Sequence, residues 1–260
     1  GWFNIESEQE FENIARIARE MGRSTRGALR VNPDIYDPRT HAKTTTGKKE
    51  TKFGVDIDRA KQFFARYGRD EGCRLSAIHL HIGSPIYSAE PYVQAITKAM
   101  GLIDELRREG FDIEAIDIGG GYAADYESHR SPSYDTYASA IVPLLKDTGL
   151  KVILEPGRTI TANAGVLVTQ VQYVKGGGSK TFVIADAGMH SLIRPAMYDA
   201  FHFIWPTRVA PEHVPPRRSA EMESLLPGLA AVDVVGPICE TGDTLARSRS
   251  LPPVRRGENL

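Results

Sequence analysis

Two histidines and a Gly-Ser turn stand at the end of an apolar run, in the stretch His79-Leu-His81-Ile-Gly-Ser84. If the run Leu75–Ile82 is a strand, His79 and His81 point to the same face of it. An imidazole can stack on an aromatic ring, and a Gly-Ser turn can offer an N–H group and a hydroxyl to a phosphate. Two alternatives stay open for this motif: hydrogen-bonded core histidines, or a metal-binding pair.

A triple glycine follows the next apolar run, in the stretch Asp117-Ile-Gly119-Gly120-Gly121. Glycines directly after a strand let backbone N–H groups approach an anion closely. The helix-opening spacing of a dinucleotide-binding loop is absent. The motif therefore favours phosphate binding, with an ordinary tight turn as the alternative.

The third motif, Glu155-Pro-Gly157-Arg158, follows the short apolar run Val152–Leu154. A carboxylate at a strand end can keep a pyridine nitrogen protonated, which makes the ring a better electron sink. An arginine can bind a carboxylate or a phosphate with two hydrogen bonds. The alternative is a Pro-Gly turn beside a surface ion pair.

Two further motifs lie in the last third of the chain. Cys239 and Glu240 stand in Gly236-Pro-Ile-Cys-Glu-Thr-Gly-Asp243, where a protonated thiol could donate a proton. A buried structural cysteine is the alternative. Arg194 and Tyr198 are four residues apart and would share a face if their segment is helical. They could bind an acidic substrate or simply pack a β-domain.

The elements that position the first three motifs alternate between strands and helices. Alternation of this kind predicts a parallel sheet or barrel with helices outside. Five strands of this type are predicted, whereas a complete (β/α)₈ barrel has eight. Either the sheet is smaller and open, or about three βα units are missing from the front. The predicted strands are Trp2–Ile5, Ala28–Val31, Leu75–Ile82, Ile113–Ile118 and Val152–Glu155.

The pattern changes after the third motif. Val166–Val174 and Thr181–Ala185 are predicted as two strands joined by a turn at Gly176–Gly178, which is typical of an antiparallel hairpin. We therefore predict two domains, a partial (β/α) barrel over residues 1–160 and a β-rich domain over residues 161–260.

Composition argues against several classes of partner. The chain carries 32 basic and 33 acidic residues, without a basic run, so neither nucleic acid nor a membrane surface is expected as a partner. Its apolar runs are too short to cross a bilayer. The two cysteines, Cys73 and Cys239, make no disulfide framework, and a reducing cytoplasm fits best.

Taken together, the motifs resemble the diaminopimelate decarboxylase branch of the alanine-racemase-like (type III) pyridoxal-phosphate enzymes. Each motif alone is weak, but their order and spacing are highly specific, and the resemblance runs nearly end to end. The matching segments are Glu6-Ser7, Arg30-Val-Asn-Pro33, Lys52-Phe-Gly54, the His-x-Gly-Ser turn, the triple glycine, Glu-Pro-Gly-Arg, Asp186-Ala-Gly188, Arg194-Pro-Ala-Met-Tyr198 and Gly-Pro-x-Cys-Glu-x-Gly-Asp.

This resemblance implies a pyridoxal 5′-phosphate site, with no metal ion expected. His81 would stack on the pyridine ring as part of the catalytic machinery, and Glu155 would pair with the ring nitrogen. The phosphate would be held by Ser84, Gly119, Gly120, Gly121, and the backbone after Glu155 at Gly157 and Arg158.

The resemblance also implies how an amino-acid substrate is handled. Arg158, Arg194 and Tyr198 would bind its carboxylates. Cys239 would donate the proton that replaces CO₂, and Glu240 would bind the distal amine. In this family, Cys239 and Glu240 act in the neighbouring subunit's site, so a homodimer with shared active sites is expected.

The sequence departs from the family at both ends. The lysine that bonds to the cofactor lies on the first barrel strand, before the region that matches Trp2–Ile5, and no lysine here corresponds to it. The late tyrosine-bearing segment is also absent. We expect a (β/α)₈ TIM-like barrel without its first strands, followed by an incomplete β-domain, and no covalent anchoring of the cofactor by this chain alone.

The activity implied for the complete parent protein is decarboxylation of meso-2,6-diaminopimelate to L-lysine. One alternative is the same reaction on ornithine, arginine or carboxynorspermidine. A second is a non-catalytic homologue, which the absent lysine would fit. A third, a phosphosugar-binding barrel enzyme, gives no reason for the Cys239-Glu240 pair.

Overall fold

In the computed structural model, which describes residues 1–126, 131–217 and 226–260, the chain divides into two units. The first unit comprises Gly1–Ala124 and Ser131–Ala164. The second comprises Asp125–Arg130 and Gly165–Leu260. Among the described residues, no helix is both long and apolar enough to span a membrane.

The first unit is built on a parallel sheet. Its strands run in the order β1-β2-β4-β5-β6, and β3 pairs with the end of β2. All five predicted strands are present; four of them are shorter than predicted, and the second along the chain is longer. The sixth, β3, was not predicted, because it has only two residues. The strands are β1 (Phe3–Ile5), β2 (Thr25–Asn32), β3 (Val55–Asp56), β4 (Cys73–His79), β5 (Ala115–Asp117) and β6 (Lys151–Ile153).

Helices connect these strands and bury their apolar faces against one side of the sheet. The first helix begins where Ser7 caps it, with its hydroxyl accepting the Glu10 N–H, and the Glu10 carboxylate accepts the N–H of Glu6 in return. Phe11, Phe64 and Leu106 lie in the resulting core. The helices are α1 (Glu8–Glu20), α2 (Ala60–Tyr67), α3 (Glu90–Arg108), α4 (Tyr134–Leu145) and α5 (Arg158–Thr161).

The other face of the sheet is concave. Ala28, Ala77 and Ala115, on the three central strands, form a buried cluster against which Trp2 and Ile153 pack from the two edges. Small side chains on the central strands leave room for the edges to approach each other. The ammonium group of Lys151 on β6 lies 5.4 Å from the centre of the Trp2 ring, just before β1.

A second layer of side chains lies two residues further along each of these strands, because alternate residues of a strand share a face. All five of its members are polar. They are Asn4, Arg30, His79, Asp117 and Glu155. The approach of its two edges shows that the sheet is curved, but β1 and β6 are not paired in the described residues, so it is open here.

The second unit contains a four-stranded sheet of order β10-β9-β8-β7. The predicted hairpin of β7 and β8 is present, but the prediction that its first strand begins at residue 166 was wrong. Residues 166–168 are exposed, and the strand begins at Val171. β8 and β9 pair in parallel, and β9 and β10 pair antiparallel. The strands are β7 (Val171–Gly177), β8 (Lys180–Ala185), β9 (Ala230–Val235) and β10 (Thr244–Leu251), with a short helix α6 (Arg194–Tyr198).

Candidate active site

The first group of candidate site residues lies where β4, β5 and β6 end. His79 is the last residue of β4 and is 4% exposed, and neither of its ring nitrogens has a hydrogen-bond partner. Its Nε2 lies 3.8 Å from Oε2 of Glu155. Burial, with smaller contributions from the charges of Arg30 and His81, lowers the pKa of His79 to about 3. The ring is therefore neutral at ordinary pH.

Asp117 and Glu155 place two carboxyl groups beside this histidine. One ligand atom from each of His79, Asp117 and Glu155 lies within 4.8 Å of the others, and His81 is not part of this group. Asn4 on β1 donates a hydrogen bond from Nδ2 to Oε1 of Glu155 at 3.0 Å. Burial, followed by the Glu155 charge, raises the pKa of Asp117 to about 6.

His81 lies in the turn after β4 and is oriented by backbone groups. Its Nδ1 accepts the N–H of Gly120 at 3.3 Å, so a neutral ring carries its proton on Nε2. Its carbonyl accepts the Thr46 hydroxyl at 2.7 Å. Burial and then Arg30 lower the pKa of His81, against a smaller opposing effect of Glu155. A neutral, fixed imidazole suits stacking on an aromatic ring.

The triple glycine joins the turns that follow β4 and β6. A Cβ at Gly120 would lie 2.1 Å from the Glu155 carbonyl oxygen, and one at Gly121 would lie 2.1 Å from the Gly83 carbonyl oxygen. Gly121 also has a φ of +94°, which favours glycine. The Tyr92 hydroxyl donates to the Gly120 carbonyl at 2.8 Å. Only glycine lets the three motifs approach this closely.

Ser84 and Arg158 come together from two of these turns. The Arg158 Nε–H donates to the Ser84 hydroxyl oxygen at 3.1 Å, although the residues are 74 positions apart. Gly157 precedes the short helix α5, and its carbonyl accepts the N–H groups of Ile160 and Thr161. A hydroxyl and a guanidinium in contact are the donors that a phosphate requires.

The remaining predicted residues lie in the second unit. Arg194 and Tyr198 are the first and last residues of α6, so the helical segment on which their predicted shared face depended is present. Arg194 Nη1 lies 2.9 Å from Nε2 of His202, and its guanidinium lies 4.7 Å from the centre of the Tyr126 ring. The prediction did not include His202 or Tyr126, because neither stands in a motif.

Cys239 and Glu240 lie in the turn between β9 and β10, and the Cys239 side chain is exposed. The buried carboxylate of Asp243 organises this turn, because it accepts the N–H groups of Met189 and Ile238, each at 2.6 Å. The prediction gave Asp243 no role. In the sequence, the position of Asp243 at the end of the Cys-Glu motif could have indicated that it organises this turn.

The comparisons with known proteins address the same segments. Residues 1–162 match the family described as "Pyridoxal-dependent decarboxylase, pyridoxal binding domain". The chain belongs to this family. It is 43% identical over 259 residues to diaminopimelate decarboxylase of Aquifex aeolicus, covering 99% of this chain and 58% of that protein. The diaminopimelate decarboxylase of Pseudomonas aeruginosa is 41% identical, with 96% of this chain and 56% of that protein covered.

Solved structures of this pyridoxal-dependent family have the same fold. Diaminopimelate decarboxylase from Helicobacter pylori, crystallised with L-lysine, superposes with a TM-score of 0.86 at 34% identity, covering 99% of this chain and 60% of that one. The resemblance and the α/β fold class predicted from sequence are thereby confirmed. The chain spans a little under three fifths of the length of the curated relatives that it matches. The roles assigned to individual site residues stay predictions.

Proposed function

We propose that this chain is part of a pyridoxal-phosphate-dependent carboxy-lyase that converts meso-2,6-diaminopimelate to L-lysine. The observation that carries the proposal is the contact of three turns through Gly120 and Gly121, which brings together the turns that hold Ser84, Glu155 and Arg158. The names of relatives that match nearly all of this chain support the choice of substrate.

The donor set fits the cofactor. The Ser84 hydroxyl and Arg158 guanidinium, with backbone of Gly119–Gly121 and Gly157, suit a phosphate. Glu155, whose side chain is 45% exposed, is an open carboxylate for a ring nitrogen, and the neutral His81 offers a flat surface for stacking. When bound, pyridoxal phosphate supplies a protonated ring that withdraws electrons from the substrate's α-carbon.

The second unit would serve the substrate. Arg194 and Tyr198, together with Arg158, would bind carboxylates, and Glu240 would bind the distal amine. Cys239 would donate the proton that replaces CO₂ at the α-carbon. We further propose that the protein acts as a homodimer, in which Cys239 and Glu240 serve the neighbouring subunit's site, and that it works in the cytoplasm, where both of its free cysteines stay reduced.

The two cysteines offer a matched test of the proton donor. In the protein that contains this chain, C239A should reduce lysine formation from meso-diaminopimelate by about 100-fold, the size of a lost general acid. C73A should retain most of the activity, because Cys73 is buried on β4 and burial raises its pKa to about 11. Unchanged lysine formation by C239A would contradict the role assigned to Cys239.

A further inference from the structure

The proposed function uses Glu155 but leaves its two buried neighbours, His79 and Asp117, without a part. Both belong to the polar layer on the concave face of the first unit's sheet. His79 and Asp117 are also register partners on the adjacent strands β4 and β5. Both lie close to Glu155, the carboxylate proposed to pair with the cofactor's ring nitrogen, and can therefore influence its charge.

One carboxyl oxygen of Asp117 lies within 4.8 Å of one carboxyl oxygen of Glu155, close enough for the two groups to compete for a proton. Two ionised carboxylates in contact repel each other, and the proton is retained at the site where ionisation costs more. Asp117 is 3% exposed, whereas the Glu155 side chain is 45% exposed. Water therefore stabilises a charge on Glu155 far better than a charge on Asp117.

Of the hydrogen bonds around the pair, one favours the same assignment and one opposes it. The Asn4 amide donates to Oε1 of Glu155 at 3.0 Å, which stabilises an anion there. Asp117 accepts the Gly119 N–H at Oδ1, at 2.9 Å, which by itself lowers the pKa of Asp117, but burial outweighs this contribution. The other oxygen of Asp117 is left to carry a proton toward Glu155. The raised pKa of Asp117, about 6, agrees with this division.

The other titratable groups that face the pair are Arg30, Glu6, His79 and His81. Arg30 forms an ion pair with Glu6, which also accepts the Gly54 N–H. His79 and His81 both have lowered pKa values because they are buried, so they add no positive charge at neutral pH. The uncharged His79 ring, with Nε2 3.8 Å from Oε2 of Glu155, therefore does not compensate the charge of that carboxylate.

We infer that Asp117 is a positioning residue that holds the shared proton and donates it in a hydrogen bond to Glu155, so that Glu155 stays anionic toward the cofactor's ring nitrogen. This inference rests on the proposed function for the part that concerns the cofactor. No bond to carbon is made or broken. Below about pH 6 the pair carries one proton and one negative charge, and above that pH Asp117 releases its proton to water.

The first test needs no cofactor. In the 260-residue chain with ¹³C-labelled aspartate, the Asp117 carboxyl should titrate with a midpoint near pH 6, assigned by its absence in D117N. In E155Q the midpoint should fall by about one pH unit, because the neighbouring charge is gone. D112N is the matched control, since Asp112 pairs with Arg74 and should leave the Asp117 midpoint unchanged. An Asp117 midpoint in the usual carboxyl range, or one unaffected by E155Q, would overturn the inference.

The second test places the proton. Pyridoxine 5′-phosphate has the ring and phosphate but no aldehyde, so it binds without a covalent bond. D117N mimics a protonated Asp117, because its amide can both donate to Glu155 and accept from Gly119. We expect D117N and the wild-type chain to bind this ligand within about 3-fold at both pH 5 and pH 7.5, and E155Q to bind about tenfold more weakly at pH 7.5.

The pattern of results separates this inference from the function it rests on. If the wild-type chain loses tenfold affinity between pH 7.5 and pH 5 while D117N does not, the proton lies on Glu155 and the inference is wrong. If Asp117 titrates as expected but neither chain binds pyridoxine 5′-phosphate at millimolar concentration, the cofactor site itself is refuted, and the part assigned to Asp117 fails with it.

Discussion

At the scale of single residues, His79 combines deep burial with two ring nitrogens that lack hydrogen-bond partners. Its pKa is lowered from 6.5 to about 3, so folding holds the ring in its neutral form. A base with a lowered pKa contributes stability that is present above its unfolded value of 6.5 and lost as the pH falls toward about 3. The buried, uncharged His79 therefore lowers the free energy of unfolding as the pH falls below 6.5.

We predict that H79Q flattens the acid limb of the stability profile. Between pH 6.5 and pH 4, the free energy of unfolding of the wild-type chain should fall by about 1–3 kcal/mol more than that of H79Q, in urea titrations at each pH. H190Q, at an exposed histidine, should follow the wild type. Asp117 contributes the opposite slope in every variant, so the comparison isolates His79. Parallel wild-type and H79Q curves would contradict the assignment.

The polar layer was only partly predictable from sequence. His79, Asp117 and Glu155 all lie in motifs, and Arg30 lies in a segment that carries the resemblance. Asn4 was missed, because nothing in a short edge strand marks it. A signal was nevertheless present, since Ala28, Ala77 and Ala115 each precede a polar residue by two positions. Small residues on one face of adjacent strands, followed by polar ones, are typical of a concave sheet face. Which carboxyl keeps the proton depends on burial, and sequence does not encode burial directly.

At the scale of elements, the loops after β4, β5 and β6 depend on one close approach. Sequence predicted the strands and the glycine turn, but not that the Gly120 Cα faces the Glu155 carbonyl oxygen, because 35 residues separate the two. Sequence separation also explains why β3 and the parallel pairing of β8 with β9 were not predicted. Both depend on partners distant in sequence, whereas the β7–β8 hairpin is local and was predicted.

We predict that G120A destabilises the first unit by about 2 kcal/mol or more, because a Cβ would lie 2.1 Å from a backbone oxygen that cannot yield cheaply. G101A is the matched control. Gly101 lies on the exposed side of α3 with nothing within 4 Å of an added Cβ, so G101A should stabilise the chain by about 0.5–1 kcal/mol. Urea unfolding followed by far-ultraviolet circular dichroism measures both. Equal stability of G120A and the wild type would contradict the close contact.

At the scale of the whole molecule, the first unit exposes apolar surface beside its open edge. A groove of about 800 Å³ lies between α4 and β6, and apolar side chains form most of its lining. Tyr134, Val142, Val152, Leu154 and Ile160 line it and are each more than a third exposed. Apolar surface beside an unpaired strand edge promotes association between molecules.

We therefore predict that the 260-residue chain self-associates as its concentration rises, and that V142K reduces this association by placing a charge in the groove. V214K is the control, because Val214 is as exposed as Val142 but lies outside the groove. Sedimentation velocity over a range of concentrations measures the weight-average mass. Equal association of V142K, V214K and the wild-type chain would place the contact elsewhere.

We propose that this chain belongs to an enzyme that decarboxylates meso-2,6-diaminopimelate. The most direct measurement is release of labelled CO₂ from carboxyl-labelled meso-diaminopimelate, L-ornithine and L-arginine by the protein that contains this chain, with pyridoxal phosphate present. We expect release from diaminopimelate at least about 100-fold faster than from the other two, because a site built for a second carboxylate and a distal amine rejects substrates that leave those groups unpaired. Release from ornithine or arginine at an equal or greater rate, or no release from any of the three, would contradict it.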